Sequence, residues 1–282
     1  MQAKTILLEA LETRWKKLCM ELKTFRKDFS EEAVHDLRVA VRRLLAVFDL
    51  LRSIIPHKRI QKVRRILKDQ LDELDDLRDV QVLLADAAEF VNDIPELKTV
   101  REHWLQEEKK LMRLTRKLVK TRDDKNLSKR VKKIRDMVRE LPEEHLAGQM
   151  LTAADEAYAR VTQLHSMLDA ENIPGIHKLR IAFKKFRYSV EIVHPLLESF
   201  PSENFERMHD YQSRMGDIQD MEVARQKLTE LNPASISDLE PVSAHYASRL
   251  RTAVLNFLED KGEPLIFWRS SPNEPFPWEN NS

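Results

Sequence analysis

The sequence predicts an all-α protein, and three observations support that fold class. Charged residues make up 34% of the 282 residues and glycine occurs only four times, a composition typical of long amphipathic helices. The 12 prolines cluster between periodic stretches. No stretch alternates between apolar and polar residues as a half-buried strand does. The predicted helices span roughly 4–26, 31–55, 58–91, 96–120, 126–140, 144–170, 175–199, 203–231 and 236–260.

Prolines and turn residues mark the boundaries between these helices. Ser30, followed by two glutamates, is a good N-cap for the second helix. The breaks fall at Phe29-Ser30, Pro56, Pro95, Arg122 to Asp124, Pro142, Pro174, Pro201, and Pro233 to Pro241. Residues 262–282 form a tail rich in proline and aromatic residues, and we expect it to pack against its own domain.

An internal repeat organises the chain. Residues 34–44, VHDLRVAVRRL, match residues 176–186, IHKLRIAFKKF, at an offset of 142 residues. Residues 76–82, DLRDVQV, match residues 217–223, DIQDMEV, at an offset of 141. Two blocks in the same order predict two tandem four-helix bundles related by a pseudo-twofold axis, with one extra helix near 126–140. The predicted units are residues 1–142, residues 143–261 and the tail 262–282.

The repeated helix has an apolar face and a basic face. At 100° per residue, Arg38 and Arg42 fall on the side of His35, whereas Leu37 and Leu44 fall opposite. A solvated surface is the simplest interpretation of such a basic face. Both copies, however, keep a positive charge at three positions, which favours a functional surface. If the two helices faced one cleft, their Arg and Lys side chains would suit a linear polyanion.

Acidic residues and the regional charge add two further expectations. Asp49 and Glu191 match in the repeat and are expected to pair with Arg42 or Arg187. Residues 98–135 contain 15 Lys or Arg against 5 Asp or Glu, whereas residues 189–282 contain 8 against 16. For the basic segment, a solvated helix and an auxiliary polyanion surface both remain open.

His35 and His177 occupy matching positions, and three roles remain open for them. They could be structural, could join an anion site when protonated, or could bind a metal. The Glu-x-x-His pattern at Glu32 and His35 is one that carboxylate-bridged metal sites use. Pro174 replaces that glutamate in the second copy, however, and neighbouring Arg and Lys would repel a cation. We therefore expect no metal and no other cofactor.

The repeated blocks resemble those of the CHAD family, the conserved histidine α-helical domain, over roughly residues 1–260. The resemblance implies one domain with a basic central cavity that binds inorganic polyphosphate and associates with polyphosphate granules. Carried over by position, the residues at or near the basic surface are Arg38, Arg42, Arg43, Arg180, Lys184, Lys185, Arg187 and Tyr188, with Lys68 as a weaker addition. Leu45 stands where Arg187 stands in the other copy, which makes the first half less basic. Gln219 likewise replaces the Arg seen at Arg78.

These patterns together predict a non-catalytic polyphosphate-binding protein. The alternative is a metal-dependent phosphohydrolase acting on polyphosphate or triphosphate, for which the acidic run from Asp72 to Asp79 would be the candidate. We interpret the carboxylates of that run as a solvated edge or as partners of Arg78. The sequence shows no motif for sequence-specific nucleic-acid binding and no apolar run long enough for a membrane span. Glu9 and Glu12 argue against a signal peptide, so we expect a cytoplasmic location.

Overall fold

The computed structural model describes residues 2–169, 172–231, 239–259 and 262–279. Within these ranges the chain forms nine α-helices and no β-strand, which confirms the predicted fold class. The helices are α1 (Ala3–Lys27), α2 (Glu31–Ile54), α3 (Lys58–Phe90), α4 (Leu97–Thr121), α5 (Asp124–Arg139), α6 (Leu146–His165), α7 (Ile173–Val193), α8 (Glu203–Glu230) and α9 (Glu240–Glu259). Short 3₁₀ helices follow at His194–Leu196 and Glu263–Ile266.

Most helices begin and end within a few residues of the predicted positions. The Ser30 hydroxyl accepts a hydrogen bond from the Ala33 backbone N–H at 3.2 Å, which confirms the predicted cap of α2. Asn172 caps α7 in the same way, through its side-chain oxygen and the Gly175 N–H. The predicted start of α9, at residue 236, lies outside the described residues.

Two helices are shorter than the sequence predicts. The chain leaves α6 after His165, five residues before the predicted end, and continues in a turn closed by the Leu168 N–H. The prediction extended α7 to residue 199, but the helix ends at Val193. Pro195 lacks an N–H and clashes with the preceding turn, so the chain tightens there into a 3₁₀ helix. Pro174 is tolerated in the first turn of α7, where its N–H would have no partner in any case.

Consecutive helices pack side by side in two sets. In the first set α1 packs on α2, α2 on α3 and α3 on α4, and in the second α6 packs on α7, α7 on α8 and α8 on α9. The sets meet where α2 contacts α7 and where α3 contacts α8. The extra helix α5 packs on α1 and α3, outside this junction. The helices that carry the repeated blocks therefore lie at the centre of the molecule.

One hydrophobic core runs through both sets of helices. The predicted apolar face of α2 is fully buried, as the exposures of 0% for Leu37, Leu44 and Phe48 show. Leu179, Phe183 and Phe186 are buried to the same degree on α7. Burying these faces removes apolar surface from water at roughly 25 cal/mol per Å². In the described ranges no helix is both long enough and apolar enough to cross a bilayer.

The C-terminal segment packs against the second set of helices, as predicted. Phe267 and Trp268 are buried, and their rings lie 5.8 Å from Phe183 and 5.7 Å from Phe186, respectively. Asp155 of α6 anchors the segment. Its carboxylate accepts hydrogen bonds from Trp268 Nε1 at 2.8 Å and from Arg269 Nη2 at 2.7 Å and Nε at 2.9 Å. The segment therefore covers the side of α7 that faces away from the junction.

The anchor at Asp155 gives a stability prediction. Asp155→Ala leaves the donors of Trp268 and Arg269 without their acceptor in a buried setting, so we expect the free energy of unfolding to fall by about 2–4 kcal/mol. Urea unfolding followed by circular dichroism measures it. Glu274→Ala, which removes an exposed partner of Ser270, is the control and is expected to stay within about 0.5 kcal/mol of the wild type. Equal stability of the two variants would contradict the anchoring role.

Candidate anion-binding site

A cleft of about 580 Å³ lies at the junction of α2, α3, α7 and α8. Its seven basic lining residues are Arg38, Arg42, Arg43, Arg78, Arg180, Lys184 and Arg187. Its four carboxylates are those of Asp75, Asp79, Asp217 and Asp220. Its three histidines are His35, His177 and His209. Because both sets of helices contribute basic side chains, neither set alone forms the site.

Most of the residues that the sequence singled out lie together in this cleft. Nine of them line it, namely His35, Arg38, Arg42, Arg43, His177, Arg180, Lys184, Arg187 and Tyr188. Lys185 and Lys68 are not among the lining residues. Lys185 lies one residue, or about 100°, further around α7 than Lys184 and is exposed to solvent. Lys68 forms an exposed i,i+4 pair with Asp72 on α3.

The structure differs from the sequence-based interpretation at Asp75 and Arg78. Asp75 is only partly exposed, and its carboxylate accepts a hydrogen bond from Arg38 and lies 3.7 Å from Arg42. Arg78, expected to pair within the acidic run, instead pairs with Glu31 at 2.6 Å. In the sequence, the i,i+4 spacing of Asp75 and Asp79 already indicates that both carboxylates share one face of α3.

A second group of charges surrounds Glu191 near the end of α7. The Glu191 carboxylate lies 3.7 Å from Arg14, 3.9 Å from Arg43 and 3.6 Å from Arg187, which confirms the expected Arg187 pair. The expectation for Asp49 is wrong in its partner, because Asp49 contacts Arg64 and Arg52. Arg14, which the repeat could not reveal, comes from α1 and enters this group from outside the repeated blocks. One carboxylate thus holds three guanidinium groups in place.

Burial shifts the pKa values of the groups in the cleft. Desolvation, with repulsion from Arg42, Arg180 and Arg38, lowers the pKa of Lys184 to about 6. Desolvation also raises the pKa of Asp220 to about 6, against the attraction of Arg180. Lys184 is therefore expected to lose its proton near neutral pH.

The two repeated histidines sit in different surroundings. Burial, together with Arg78, lowers the pKa of His35. His177 Nδ1–H donates a hydrogen bond to the side-chain oxygen of Gln219, which occupies the position of Arg78 in the other copy. Among the residues described, no group of three or more His, Cys, Asp or Glu side chains is placed to hold a metal ion. His177 thus contacts the position that matches Arg78, and both histidines line the cleft.

Fold and site together define a helical domain in which two sets of helices enclose one basic cleft. The family model of the CHAD domain matches residues 9–229 of the sequence, and the chain therefore belongs to the CHAD domain family. A similar solved structure is that of the CHAD domain from the plant Ricinus communis, with a TM-score of 0.72 and 17% sequence identity. The match covers 96% of this chain and 93% of that chain and shows a shared fold. No curated protein matches the sequence.

The shifted pKa of Lys184 predicts a pH-dependent stability term. Between pH 6 and the ordinary Lys value of 10.5, the unfolded chain holds a proton that folded Lys184 has released, so this residue makes stability rise with pH. Lys184→Met removes the cost of charging in the cleft. We expect the variant to be more stable than the wild type by about 1–2 kcal/mol at pH 6, with the difference shrinking toward pH 10.

Urea unfolding at pH 6, 7.5 and 9 measures this difference. Lys178→Met is the control, because Lys178 is exposed on the same helix and its loss should leave the pH profile unchanged. Profiles of Lys184→Met and wild type that run parallel across this range would show that Lys184 titrates as an ordinary lysine.

Proposed function

We propose that the cleft binds inorganic polyphosphate and does not turn it over. One observation carries this proposal, namely that seven basic side chains from both sets of helices surround a single cleft. Arg presents several N–H donors in a planar fork that matches phosphate oxygens, and six of the seven are Arg. Membership in the CHAD family supports the same ligand, because the family resemblance implies polyphosphate binding.

A polymer suits the cleft better than a single phosphate does. On α2 the lining residues run from His35 to Arg43, and on α7 from His177 to Tyr188. At 1.5 Å per residue these segments extend over roughly 12 Å and 16 Å. A single phosphate reaches only a few of the basic groups, whereas a linear chain of phosphates engages several of them at once.

Binding without catalysis fits the state of the acidic residues. A metal-dependent phosphohydrolase needs carboxylates free to hold the metal. Asp75 is instead engaged by Arg38 and Arg42, and burial raises the pKa of Asp220 to about 6 despite the attraction of Arg180. Asp75 acts as a counter-ion that holds Arg38 and Arg42 in position. Experiment must distinguish this binding function from the alternative, a metal-dependent phosphohydrolase.

We also infer that residues 1–142 and 143–261 are two copies of one unit related by an approximate twofold axis, with 262–282 as an appended tail. The cleft residues support this relation, because they come in matched pairs. These pairs are His35 and His177, Arg38 and Arg180, Arg42 and Lys184, and Asp79 and Asp220. We also propose that the protein associates with polyphosphate granules in the cytoplasm.

Calorimetric titration with long-chain polyphosphate tests the proposal. The wild type is expected to bind tightly at low salt and much more weakly at high salt, because phosphate contacts release counterions from the polymer. Arg42→Ala/Lys184→Ala is expected to lose about 100-fold in affinity, from two charge-assisted contacts. Circular dichroism should show unchanged helicity.

A matched control and an activity assay sharpen this test. Lys62→Ala/Arg251→Ala likewise removes one Lys and one Arg, but from exposed positions away from the cleft. We expect the affinity of this variant to stay within about threefold of the wild type. Equal losses in both double variants would point to non-specific attraction. Orthophosphate release on incubation with Mg²⁺ or Mn²⁺ would favour the phosphohydrolase.

Binding is also expected to take up protons near neutral pH. A phosphate placed beside Lys184 or Asp220 raises both pKa values from about 6, so affinity should increase as the pH falls from 8 to 6. Calorimetry at pH 7 in two buffers of different ionisation enthalpy counts the protons. Lys184→Met should reduce the number taken up. If the wild type takes up no protons, the phosphates bind away from these two groups.

A further inference from the structure

Five of the seven basic side chains in the cleft are paired with a carboxylate. The pairs are Arg38–Asp75, Arg42–Asp75, Arg43–Glu191, Arg187–Glu191 and Arg78–Glu31. Arg180 and Lys184 differ from the other five, because no carboxylate in the described part of the chain lies within 4.0 Å of either of them. Both belong to α7, so the basic groups that a ligand can engage without displacing a carboxylate are concentrated on that helix.

The lack of a partner at Arg180 has an identifiable cause in the sequence. Arg180 matches Arg38 in the repeat, and the position that matches Asp75 is occupied by Gly216. A Cβ atom added at Gly216 would lie 3.8 Å from Arg180 Nη2 and 3.9 Å from Nε. The backbone of α8 thus approaches Arg180 as α3 approaches Arg38, but the carboxylate is missing.

Arg180 retains unused hydrogen-bonding capacity. Its Nε is buried and has no hydrogen-bond partner among the described residues, as is also true of Arg38 Nε, but the Arg38 guanidinium in addition donates to Asp75. Asp220 and Asp79 attract it over a longer distance, and burial outweighs that attraction, since the pKa of Arg180 is lowered. Buried donors without an acceptor are costly, so an anion that accepts from this guanidinium would relieve the cost.

We propose that the cleft contains one dominant phosphate subsite, formed by Arg180 and Lys184, and that Asp75 is an internal counter-ion that keeps the matching position beside Arg38 weak. This inference rests on the proposed function and specifies where binding begins. A short phosphate chain fills the subsite on α7 first. A longer chain then extends toward Arg38 and Arg42, where its phosphates compete with Asp75 for the same guanidinium groups.

The repeat supplies the variants that test this asymmetry. Gly216→Asp places a carboxylate beside Arg180, as Asp75 lies beside Arg38. Position 216 admits a side chain, because an added Cβ would meet Arg180 only at ordinary van der Waals distance, 3.8 Å from Nη2. We expect its affinity for inorganic triphosphate, measured by calorimetry, to fall about tenfold or more. Gly216→Asn is the matched control, because it has the same shape without the charge, and it should bind within about threefold of the wild type.

The exchange variant Asp75→Gly/Gly216→Asp tests the role of Asp75. It keeps the composition and net charge of the wild type while freeing Arg38, so it should recover most of the affinity that Gly216→Asp alone loses. In the wild type Arg180→Ala should abolish triphosphate binding, whereas in the exchange variant Arg38→Ala should do so. Circular dichroism establishes that each variant is folded.

The outcomes separate this inference from the proposed function. A wild type that binds neither triphosphate nor long-chain polyphosphate overturns both. If the wild type binds and Gly216→Asp lowers the affinity no more than Gly216→Asn does, the subsite is wrong and the proposed function still stands. Equal losses from Arg38→Ala and Arg180→Ala in the wild type would likewise show that the two halves bind phosphate equivalently.

Discussion

Where α2 and α7 approach each other, their basic side chains lose hydration and repel one another. Burial is the largest cause of the lowered pKa values of Arg38, Arg180 and Lys184. Repulsion from neighbouring arginines lowers each of these pKa values further. The two halves can meet only because other interactions offset this cost. Carboxylates from α3 and α8 supply part of the offset, and the apolar faces behind the basic ones supply the rest.

The apolar support behind α7 extends into residues 262–279. Phe183 and Phe186 form the side of α7 opposite the cleft, and Phe267 and Trp268 cover them. Asp155 fixes this cover through hydrogen bonds to Trp268 and Arg269. Residues 262–279, of which none lines the cleft, therefore support the helix that presents Arg180 and Lys184. The buried packing of this segment and the charge in the cleft are linked through one helix.

Much of the fold and most of the cleft could be predicted from the sequence, because both depend on local periodicity. A helical repeat shows which face a residue occupies, and this placed His35, Arg38 and Arg180 correctly. Pairing across helices depends on how the helices cross, which periodicity does not encode. For that reason the sequence predicts Arg42 or Arg187 as the partner of Asp49, whereas the structure pairs it with Arg64. The pairing of Asp75 with Arg38 likewise does not follow from periodicity.

Shifted pKa values lie beyond sequence reasoning for a related cause. Lys184 looks like any lysine on a basic face until the helices that surround it are in place, and only then does its desolvation appear. Arg14 was missed because it comes from α1, which carries neither repeated block. Gly216 lies one residue before the second repeated block, and its significance depends on the position of Arg180, which only the structure gives.

Joining both halves in one polypeptide has an evolutionary consequence. In a symmetric homodimer every substitution appears twice, so a change at one side of a shared site is always mirrored at the other. In the proposed repeat, covalent linkage removes that restriction, and the matched positions differ at Asp75 and Gly216, at Arg78 and Gln219, and at Leu45 and Arg187. Under that proposal each unit is free to diverge by itself. The cleft then gains a polarity that two identical subunits could not produce.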